Sequence, residues 1–202
     1  MSNQAKQRGK LFVISGPSGV GKTTVTRRVI AALGSDQIVE SVSYTTRPPR
    51  PEEQDGTEYH FSDWQTFQEL NEKHLFLEST LIHGHYYGTG KKPTADLLRS
   101  GRHVILVIDG DGAQQVKEAL HSAVLIFLRA PVETLRDRLQ GRDTENPDAI
   151  EARLESAVAE LAYLPQYEHV IESGALESDT AAVLAIIQAT TGAGNQQGSL
   201  GS

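Results

Sequence analysis

Eight consecutive residues, 16–23, read GPSGVGKT and match the GxxxxGKT pattern of a phosphate-binding loop. They follow an apolar run at residues 11–15 and precede a stretch of helical character, which predicts a buried strand, a glycine-rich loop and a helix. In this arrangement backbone N–H groups surround a polyphosphate at the N-terminus of the helix. Lys22 would place its ammonium group on the outer phosphates, and the Thr23 hydroxyl would be a ligand of Mg²⁺. The loop therefore predicts binding of a nucleoside triphosphate.

A second group of reactive side chains lies in residues 43–59, which read SYTTRPPRPEEQDGTEY. The Pro-Pro pair favours a polyproline II path with three residues per turn, so Arg47 and Arg50 project on one side. Two guanidinium groups on one side suit an isolated phosphate group, and Tyr59 and Tyr87 can add hydroxyl donors. The same residues are compatible with two other interpretations: solvated surface charges, or a PxxP ligand for another protein's binding domain.

The composition of the chain limits the classes of function. With 202 residues it can form one domain with a hydrophobic core, and its net charge of -7 argues against broad binding of nucleic acid or membrane surfaces. The absence of cysteine excludes disulfides and thiolate metal sites. No apolar stretch approaches the ~18 residues of a membrane span, and the N-terminus lacks an apolar signal segment. We therefore expect a cytoplasmic protein without membrane or nucleic-acid partners, and the composition leaves its oligomeric state open.

The hydrophobic pattern alternates between strands and helices. Strands are predicted over residues 11–15, 38–43, 57–61, 75–82, 103–108, 123–128 and 169–171. Helices are predicted over residues 22–33, 64–73, 95–100, 114–120, 131–139, 148–163 and 179–189. Apolar strands joined by helices indicate an α/β fold, with a parallel sheet of the phosphate-loop NTPase type covered by helices on both faces.

Two polar segments interrupt this alternation. Residues 43–91 are dense in Arg, Pro, Tyr and Gly, and we interpret them as an inserted small α+β subdomain that holds the acceptor. Residues 140–152 are rich in charge and form a candidate short lid. The core would then comprise residues 9–42 and 92–190, with poorly ordered ends at residues 1–8 and 192–202.

Several motifs, in order and spacing, resemble those of guanylate kinases. They are GPSGVGKT, SVSYTTRPPRP, FLES with its glutamate Glu78, GHYYGT, VIDGDGAQ and RLQGRDTE, spread over about residues 10–173. The resemblance implies a phosphate-loop nucleoside monophosphate kinase fold with a GMP-binding subdomain. It also implies transfer of the γ-phosphate of ATP to GMP, with Mg²⁺ as the cofactor.

The resemblance further implies which residues form the sites. The ATP site would comprise Gly16, Pro17, Ser18, Gly19, Val20, Gly21, Lys22, Thr23 and Thr24. The GMP site would comprise Ser43, Glu78 and Thr89 around the base, Arg47, Arg50, Glu53, Tyr59 and Tyr87 around the phosphate, and Asp109 nearby. The catalytic residues would be Lys22, Arg47, Arg138, Arg142 and Arg153. Thr23 and Asp109, the latter directly or through water, would hold Mg²⁺.

The chemistry of Glu78 supports its implied role independently. Guanine presents N1–H and N2–H₂ as adjacent donors, and one carboxylate can accept from both. Adenine presents a lone pair at N1, which would face the carboxylate unfavourably, so selectivity combines attraction with repulsion. Without the neighbouring motifs, an exposed charge at the end of a strand would explain Glu78 equally well.

The proposed catalytic arginines and Asp109 have simpler interpretations as well. Phosphoryl transfer depends on positioning and charge neutralisation, so arginines around the transferred group are expected. Arg138 could instead pair with acidic neighbours on a solvated helix face. Asp109 directly follows the predicted strand 103–108, where it could contact Mg²⁺-bound water or the acceptor, cap the following helix, or do both.

Five positions depart from the guanylate kinase pattern. Val107 replaces a usual acidic residue, Gly110-Asp111 replaces a bulky residue followed by Gln, Ser173 replaces an Asn near adenine, and Asp143 replaces a Gly. They leave two alternative functions open. One is a related small-molecule kinase, such as a ribose 1,5-bisphosphate phosphokinase. The other is a non-catalytic, guanylate-kinase-like module that binds phosphopeptides; the intact Lys22 and Thr23 argue against it.

Overall fold

The computed structural model describes residues 7–140 and 147–192. The predictions for Arg142, for Asp143, for most of the N-terminal and C-terminal ends and for the first part of the candidate lid lie outside these residues. Within them, the chain forms a five-stranded sheet with helices on both sides and a second, four-stranded sheet.

The larger sheet is entirely parallel and confirms the predicted α/β class. Its central strand is β1, Leu11–Ser15, which pairs on one side with β7, His103–Val107, and on the other with β8, Val124–Arg129. The edges are β2, Ile38–Glu40, and β9, His169–Glu172. All five residues of β1 are buried, which explains why its first four residues are apolar and do not alternate.

Six α-helices belong to this sheet. They are α1 (Lys22–Leu33), α3 (Lys91–Arg99), α4 (Gly110–Ala119), α5 (Val132–Gln140), α6 (Pro147–Glu160) and α7 (Leu176–Thr191). The core has two parts: one contains Val25 of α1 and Val183 of α7, and the other contains Leu98 of α3 and Val116 of α4. Each part packs on residues from the central strands, so apolar burial on both faces holds the helices to the sheet.

The second sheet lies wholly within the segment predicted to hold the acceptor. It consists of β3 (Ser43–Thr45), β4 (Tyr59–Phe61), β5 (Phe76–Ile82) and β6 (His85–Gly90), in the order β4-β3-β6-β5. Helix α2, Trp64–Glu72, packs on it through Phe67, whose ring stacks on Phe76 at 4.6 Å between centroids. The division of the chain at residues 43 and 91 stays a prediction, although the two sheets fall on either side of it.

The structure corrects two strand predictions. Residues 38–43 are not one strand: β2 belongs to the larger sheet, β3 to the smaller one, and the chain passes between them at buried Ser41. The sequence did not predict β6, because its HYYGTG has two glycines. Gly88 is needed there because a Cβ at this position would lie 3.1 Å from the Phe76 ring of the neighbouring strand.

Several helix boundaries also differ from the predictions. Helix α3 begins four residues before the predicted start, with Pro93 in its first turn, where a missing N–H costs little. Helix α4 begins at Gly110 because the Asp109 side chain caps it by accepting from Gly112 N at 2.9 Å. Helix α6 ends at Glu160 and continues as a 3₁₀ helix, Leu161–Gln166, since Pro165 cannot supply a backbone N–H. Helix α7 extends beyond the predicted range at both ends.

Candidate active site

The phosphate loop connects the carboxyl end of β1 to α1, and glycine is required at its start. Gly16 has φ 137°, and a Cβ there would lie 2.0 Å from the carbonyl oxygen of Leu128. Gly21, at the N-cap of α1, has φ 107° and has no side chain with which to cap the helix. The first backbone N–H groups of α1 therefore face the loop without a capping side chain at that position, as phosphate binding requires.

Two cationic side chains lie on the loop. Lys22 Nζ donates to the carbonyl oxygen of Gly16 and, at 3.2 Å, to that of Pro17. Arg153, on α6, donates through Nη1 to Ser18 Oγ at 3.2 Å. Both charges thus sit where the outer phosphates of a bound triphosphate would need neutralisation.

One cavity of about 520 Å³ joins the loop to the second sheet. Its lining includes predicted residues from both sites: Ser18, Lys22, Thr23, Ser43, Tyr59, Glu78, Tyr87, Asp109 and Arg153. The carboxyl ends of β1 and β7 form one side, as expected for a ligand site in a parallel α/β sheet. The volume lies in the range of small-molecule sites in enzymes.

Glu78 is a buried carboxylate within this cavity. It lies on β5, its residue is only 3% exposed, and its Oε1 accepts from Thr89 Oγ1 at 2.6 Å. Thr89 Oγ1 is also 3.4 Å from Ser43 Oγ, so the three side chains predicted to contact the base are adjacent. Burial raises the pKa of Glu78 to about 7, with a smaller contribution from the charge of Asp109, against the hydrogen bond from Thr89.

The space beside Glu78 depends on a glycine of α4. A Cβ at Gly112 would lie 2.9 Å from Glu78 Oε2, so a side chain here would displace the Glu78 carboxylate. The helix that carries Asp109 at its N-cap therefore packs directly against Glu78.

The five residues predicted to lie around the acceptor phosphate form a cluster. Arg47 Nη2 donates to Glu53 Oε1 at 2.8 Å, and Glu53 Oε2 accepts from the backbone N–H of Arg50 at 2.8 Å. The Arg47 guanidinium lies over the Tyr59 ring at 5.5 Å, and the Tyr59 and Tyr87 rings meet edge to face at 5.8 Å. Hydrogen bonding from Arg47 lowers the pKa of Glu53, which keeps it ionised as the orienting partner.

Arg50 differs from Arg47 in its environment. Its side chain is 68% exposed, compared with 15% for Arg47, and its Nη1 is 4.0 Å from Glu53 Oε1. Arg47 is therefore held by the protein, whereas the Arg50 guanidinium faces solvent at the edge of the cluster.

Asp109 is both a helix cap and a cavity residue, and its contact with Mg²⁺ or with the acceptor stays a prediction. Its side chain caps α4 through Gly112 N, and the residue also lines the cavity with Lys22 and Thr23. Burial raises its pKa above the ordinary value for aspartate, against the hydrogen bond from Gly112. The Thr23 hydroxyl and the Asp109 carboxylate are oxygen donors of the kind that Mg²⁺ prefers, so this pair fits a magnesium ion bound together with a triphosphate.

Arg138 does not line the cavity. Its Nη1 donates to Val20 O at 2.9 Å and to Ser173 Oγ at 3.3 Å, and its Nη2 donates to Gly174 O at 3.0 Å. It thus binds the outer side of the phosphate loop and the turn after β9, and not the acidic neighbours considered from the sequence.

Several cavity residues were missed by the sequence analysis, among them Ser156, Glu160 and Tyr163. Ser156 and Glu160 lie three and seven positions after Arg153 on α6, and Tyr163 lies on the following 3₁₀ helix. The helical spacing from Arg153 could have identified the first two, because positions three and seven apart share a face. Burial raises the pKa of Glu160, whose Oε2 is buried without a hydrogen-bond partner among the residues described.

Together, the parallel sheet, the glycine loop at the N-terminus of α1 and the adjoining carboxylate and arginine clusters define a phosphate-loop nucleotide-binding protein whose cavity also reaches the second sheet. None of the helices described for residues 7–140 and 147–192 is long and apolar enough to cross a membrane.

The chain belongs to the guanylate kinase family, whose model matches residues 8–190. It is 42% identical to the guanylate kinase of Dechloromonas aromatica over 183 residues, 90% of each chain. It is 43% identical to that of Thermus thermophilus, covering 90% of this chain and 82% of the relative. The crystal structure of guanylate kinase from Anaplasma phagocytophilum superposes with a TM-score of 0.74 at 31% identity, over 91% of this chain and 87% of the other.

Proposed function

We propose that the protein transfers the γ-phosphoryl group of ATP to GMP and releases ADP and GDP. One observation carries this proposal: the buried carboxylate of Glu78 and the ammonium group of Lys22 line the same cavity. A phosphate-loop lysine binds the donor, a carboxylate paired with Thr89 selects guanine, and a shared cavity allows direct transfer between them. Membership of the guanylate kinase family supports the same assignment.

The acceptor would be held at both ends. Ionised Glu78 accepts from N1–H and N2–H₂ of guanine, and Thr89 and Ser43 lie beside it for the remaining edge of the base. Arg47, with Tyr59 and Tyr87, binds the monophosphate, and Arg50 joins from the solvent side. Because Glu53 already orients Arg47, little side-chain freedom is lost when the phosphate arrives.

The donor would lie on the phosphate loop. Backbone N–H groups at residues 16–24 surround the phosphates, and Lys22 and Arg153 compensate the charge that develops on the transferred group. A phosphate oxygen of GMP attacks the γ-phosphorus, and the bond to the ADP oxygen breaks. Arg142, which the family resemblance adds to these cations, is included as a proposed catalytic residue.

Thr23 and Asp109 are the proposed holders of Mg²⁺. The ion would neutralise phosphate charge and keep the donor in its reactive conformation. Asp109 also sets the start of α4, so its carboxylate is fixed in place before any ion binds. We place the protein in the cytoplasm, where ATP and GMP are available.

The test is a coupled ADP-release assay with ATP and a panel of acceptors: GMP, dGMP, AMP, CMP, UMP and ribose 1,5-bisphosphate. We expect kcat/KM for GMP to exceed that for AMP by at least about a hundredfold. The carboxylate accepts from the two donors of guanine, whereas adenine would leave it without these hydrogen bonds. A preference for ribose 1,5-bisphosphate would support the related small-molecule kinase. ATP turnover with none of these acceptors would exclude the proposal.

A further inference from the structure

We propose that Glu160 is a specificity-determining residue of the donor site, which favours the magnesium complex of the triphosphate over the metal-free triphosphate. The inference rests on the proposed function for the identity of the donor, but binding alone tests it. Glu160 lies on α6 and lines the cavity together with Lys22, Thr23 and Asp109.

Glu160 differs from the other carboxylates of the cavity in its hydrogen bonding. Three of these carboxylates accept hydrogen bonds from groups of the protein: Glu78 from the Thr89 hydroxyl, Asp109 from the Gly112 backbone N–H and Asp111 from the Tyr163 hydroxyl. Glu160 Oε2 is buried, and no donor in the part of the chain that the structure describes is bonded to it. A carboxylate oxygen that has lost its water and gained no donor favours a ligand that brings a donor or a positive charge.

The charges around Glu160 indicate where that ligand would lie. Burial raises the pKa of Glu160, the positive charge of Lys22 opposes this shift, and the negative charge of Asp109 adds to it. Both neighbours belong to the proposed donor site, Lys22 on the outer phosphates and Asp109 with Mg²⁺. The Glu160 carboxylate is therefore close enough to act on the charges that the donor would bring into the cavity.

Helix α6 holds Glu160 beside the phosphate loop. Arg153 precedes it by seven residues, which is two helical turns, and donates through Nη1 to Ser18 Oγ of the loop at 3.2 Å. On the opposite side of the helix, Leu154 and Ala157 are buried in the core with the larger sheet. One face of α6 thus presents a cation and an anion to the donor site, and core packing fixes the backbone that carries both.

A carboxylate in this place acts in opposite directions on the two forms of the donor. It repels the phosphate charges of a metal-free triphosphate, whereas it attracts Mg²⁺ held on the phosphates, directly or through a bound water. The cavity has Val107 where the guanylate kinase pattern usually has an acidic residue, so that position adds no negative charge. Asp109 and Glu160 therefore provide the negative charge that distinguishes the two forms.

The test measures the affinity of the full chain for a non-hydrolysable ATP analogue by calorimetry, once with excess Mg²⁺ and once with EDTA, without an acceptor. Glu160→Gln removes the charge and keeps the shape of the side chain, and Glu160→Asp keeps the charge. Glu155→Gln is the matched control, because it makes the same change at an exposed position of the same helix. Thermal unfolding fixes a working temperature at which every variant is folded. The readout is the ratio of the two Kd values, in which any effect common to both forms of the analogue cancels.

We expect the ratio of Kd without Mg²⁺ to Kd with Mg²⁺ to fall about tenfold in Glu160→Gln, because the magnesium complex binds more weakly and the metal-free analogue more tightly. Glu160→Asp and Glu155→Gln should keep the wild-type ratio within about twofold. An unchanged ratio in Glu160→Gln would overturn the inference, and so would an equal fall in Glu155→Gln or a wild type that binds both forms equally. Failure of the wild type to phosphorylate GMP would instead refute the proposed function, while the calorimetric ratio would still decide the inference.

Discussion

At the scale of single residues, Glu78 has two opposing requirements. In the proposed site it must be ionised to accept from both donors of guanine, yet its burial disfavours the ionised form and raises its pKa to about 7. Bound guanine would replace the solvation that the carboxylate has lost, so the proposed acceptor would itself stabilise the ionised form. The same property makes the residue testable by substitution and by pH.

Replacing Glu78 with glutamine should lower kcat/KM for GMP by about tenfold to several hundredfold, because an amide loses the charge and can accept at only one oxygen. Some activity should remain, since that oxygen can still accept. Steady-state kinetics of Glu78→Gln provide the measurement, with Glu72→Gln on exposed α2 as the matched control. Unchanged GMP kinetics would remove Glu78 as the base reader.

The pH dependence should show the same group. For the wild type, kcat/KM for GMP should rise as pH increases through about 7, because this ratio reports the free enzyme and only ionised Glu78 accepts both donors. The profile of Glu78→Gln should lack this step.

Since the pKa of Glu78 in the folded protein lies above the ordinary value of 4.5, wild-type stability should fall as pH rises between those two values. The gain in melting temperature of Glu78→Gln over the wild type should grow across that window and then level off.

Lys22 provides the corresponding test of the donor site. Lys22→Ala should abolish transfer while the circular dichroism spectrum stays that of the wild type, because the ammonium group acts on phosphate charge and not in the core. Lys92→Ala, on exposed α3, is the control with the same change of charge. Near-normal GMP-dependent turnover by Lys22→Ala would exclude the proposed phosphate site.

At the scale of elements, α4 contacts the 3₁₀ helix at Gly110, where the guanylate kinase pattern usually has a bulky residue. A Cβ on Gly110 would lie 2.5 Å from Tyr163 Cδ2, so the tyrosine ring occupies the space that a side chain would need. The Tyr163 hydroxyl donates to Asp111 Oδ1 at 2.6 Å, which raises the pKa of Tyr163 to about 12. Gly110 and Asp111, which both depart from the guanylate kinase pattern, thus both contact Tyr163.

Gly110→Ala should therefore destabilise the protein by about 1–3 kcal/mol, because the tyrosine ring must move and its hydrogen bond to Asp111 must break. Urea unfolding measures the change. Gly174→Ala is the matched control, since a Cβ at Gly174 meets no atom within 4 Å. Equal stability of Gly110→Ala and Gly174→Ala would contradict the proposed packing.

Elements with strong local signals could be predicted from the sequence, and those defined by distant contacts could not. The strand 11–15 and the helix 22–33 were predicted with their observed bounds, because four consecutive apolar residues begin the strand and Gly34 ends the helix. Strand β6 was missed because its two glycines weaken the local strand pattern, although Gly88 packs against the ring of Phe76 on the neighbouring strand. Strands β2 and β3 are separated by only two residues but belong to different sheets, and no local sequence pattern indicates such a division.

The same distinction applies to the site. Residues with a characteristic motif, such as Lys22 and Arg47, could be proposed as site residues from the sequence. Glu160 and Tyr163 enter the cavity only because α6 and its 3₁₀ extension pack beside the loop. The position of Arg138 depends on Ser173 and Gly174, more than thirty residues away, so its spacing from Arg142 said nothing about it.

At the scale of the whole molecule, the cavity lies between the two sheets, and transfer requires that water be kept out. ATP would otherwise be hydrolysed, so we expect the acceptor subdomain and the segment 140–152 to move onto the larger sheet when both nucleotides bind. The phosphates offset the mutual repulsion of the arginines, and the free protein should therefore be more open.

Small-angle scattering and hydrogen exchange measure this closure. The radius of gyration should decrease when GMP and an ATP analogue are added together, and exchange in residues 43–91 and 140–152 should slow. Lys22→Ala under the same conditions is the control, because closure that depends on the phosphates of the ATP analogue should be reduced in this variant. An unchanged radius of gyration with unchanged exchange in both segments would indicate a preformed, rigid site.

The central claim is that one cavity selects guanine and phosphorylates it with ATP, and product analysis tests it most directly. The purified protein is incubated with ATP, Mg²⁺ and equal concentrations of GMP and AMP, and phosphorus NMR follows every phosphate in the mixture. The account predicts that GDP and ADP appear in equal amounts at the expense of GMP and ATP, while AMP is not consumed, and that Glu78→Gln slows GDP formation. Formation of ADP together with inorganic phosphate but no GDP, or consumption of AMP at the rate of GMP, would contradict it.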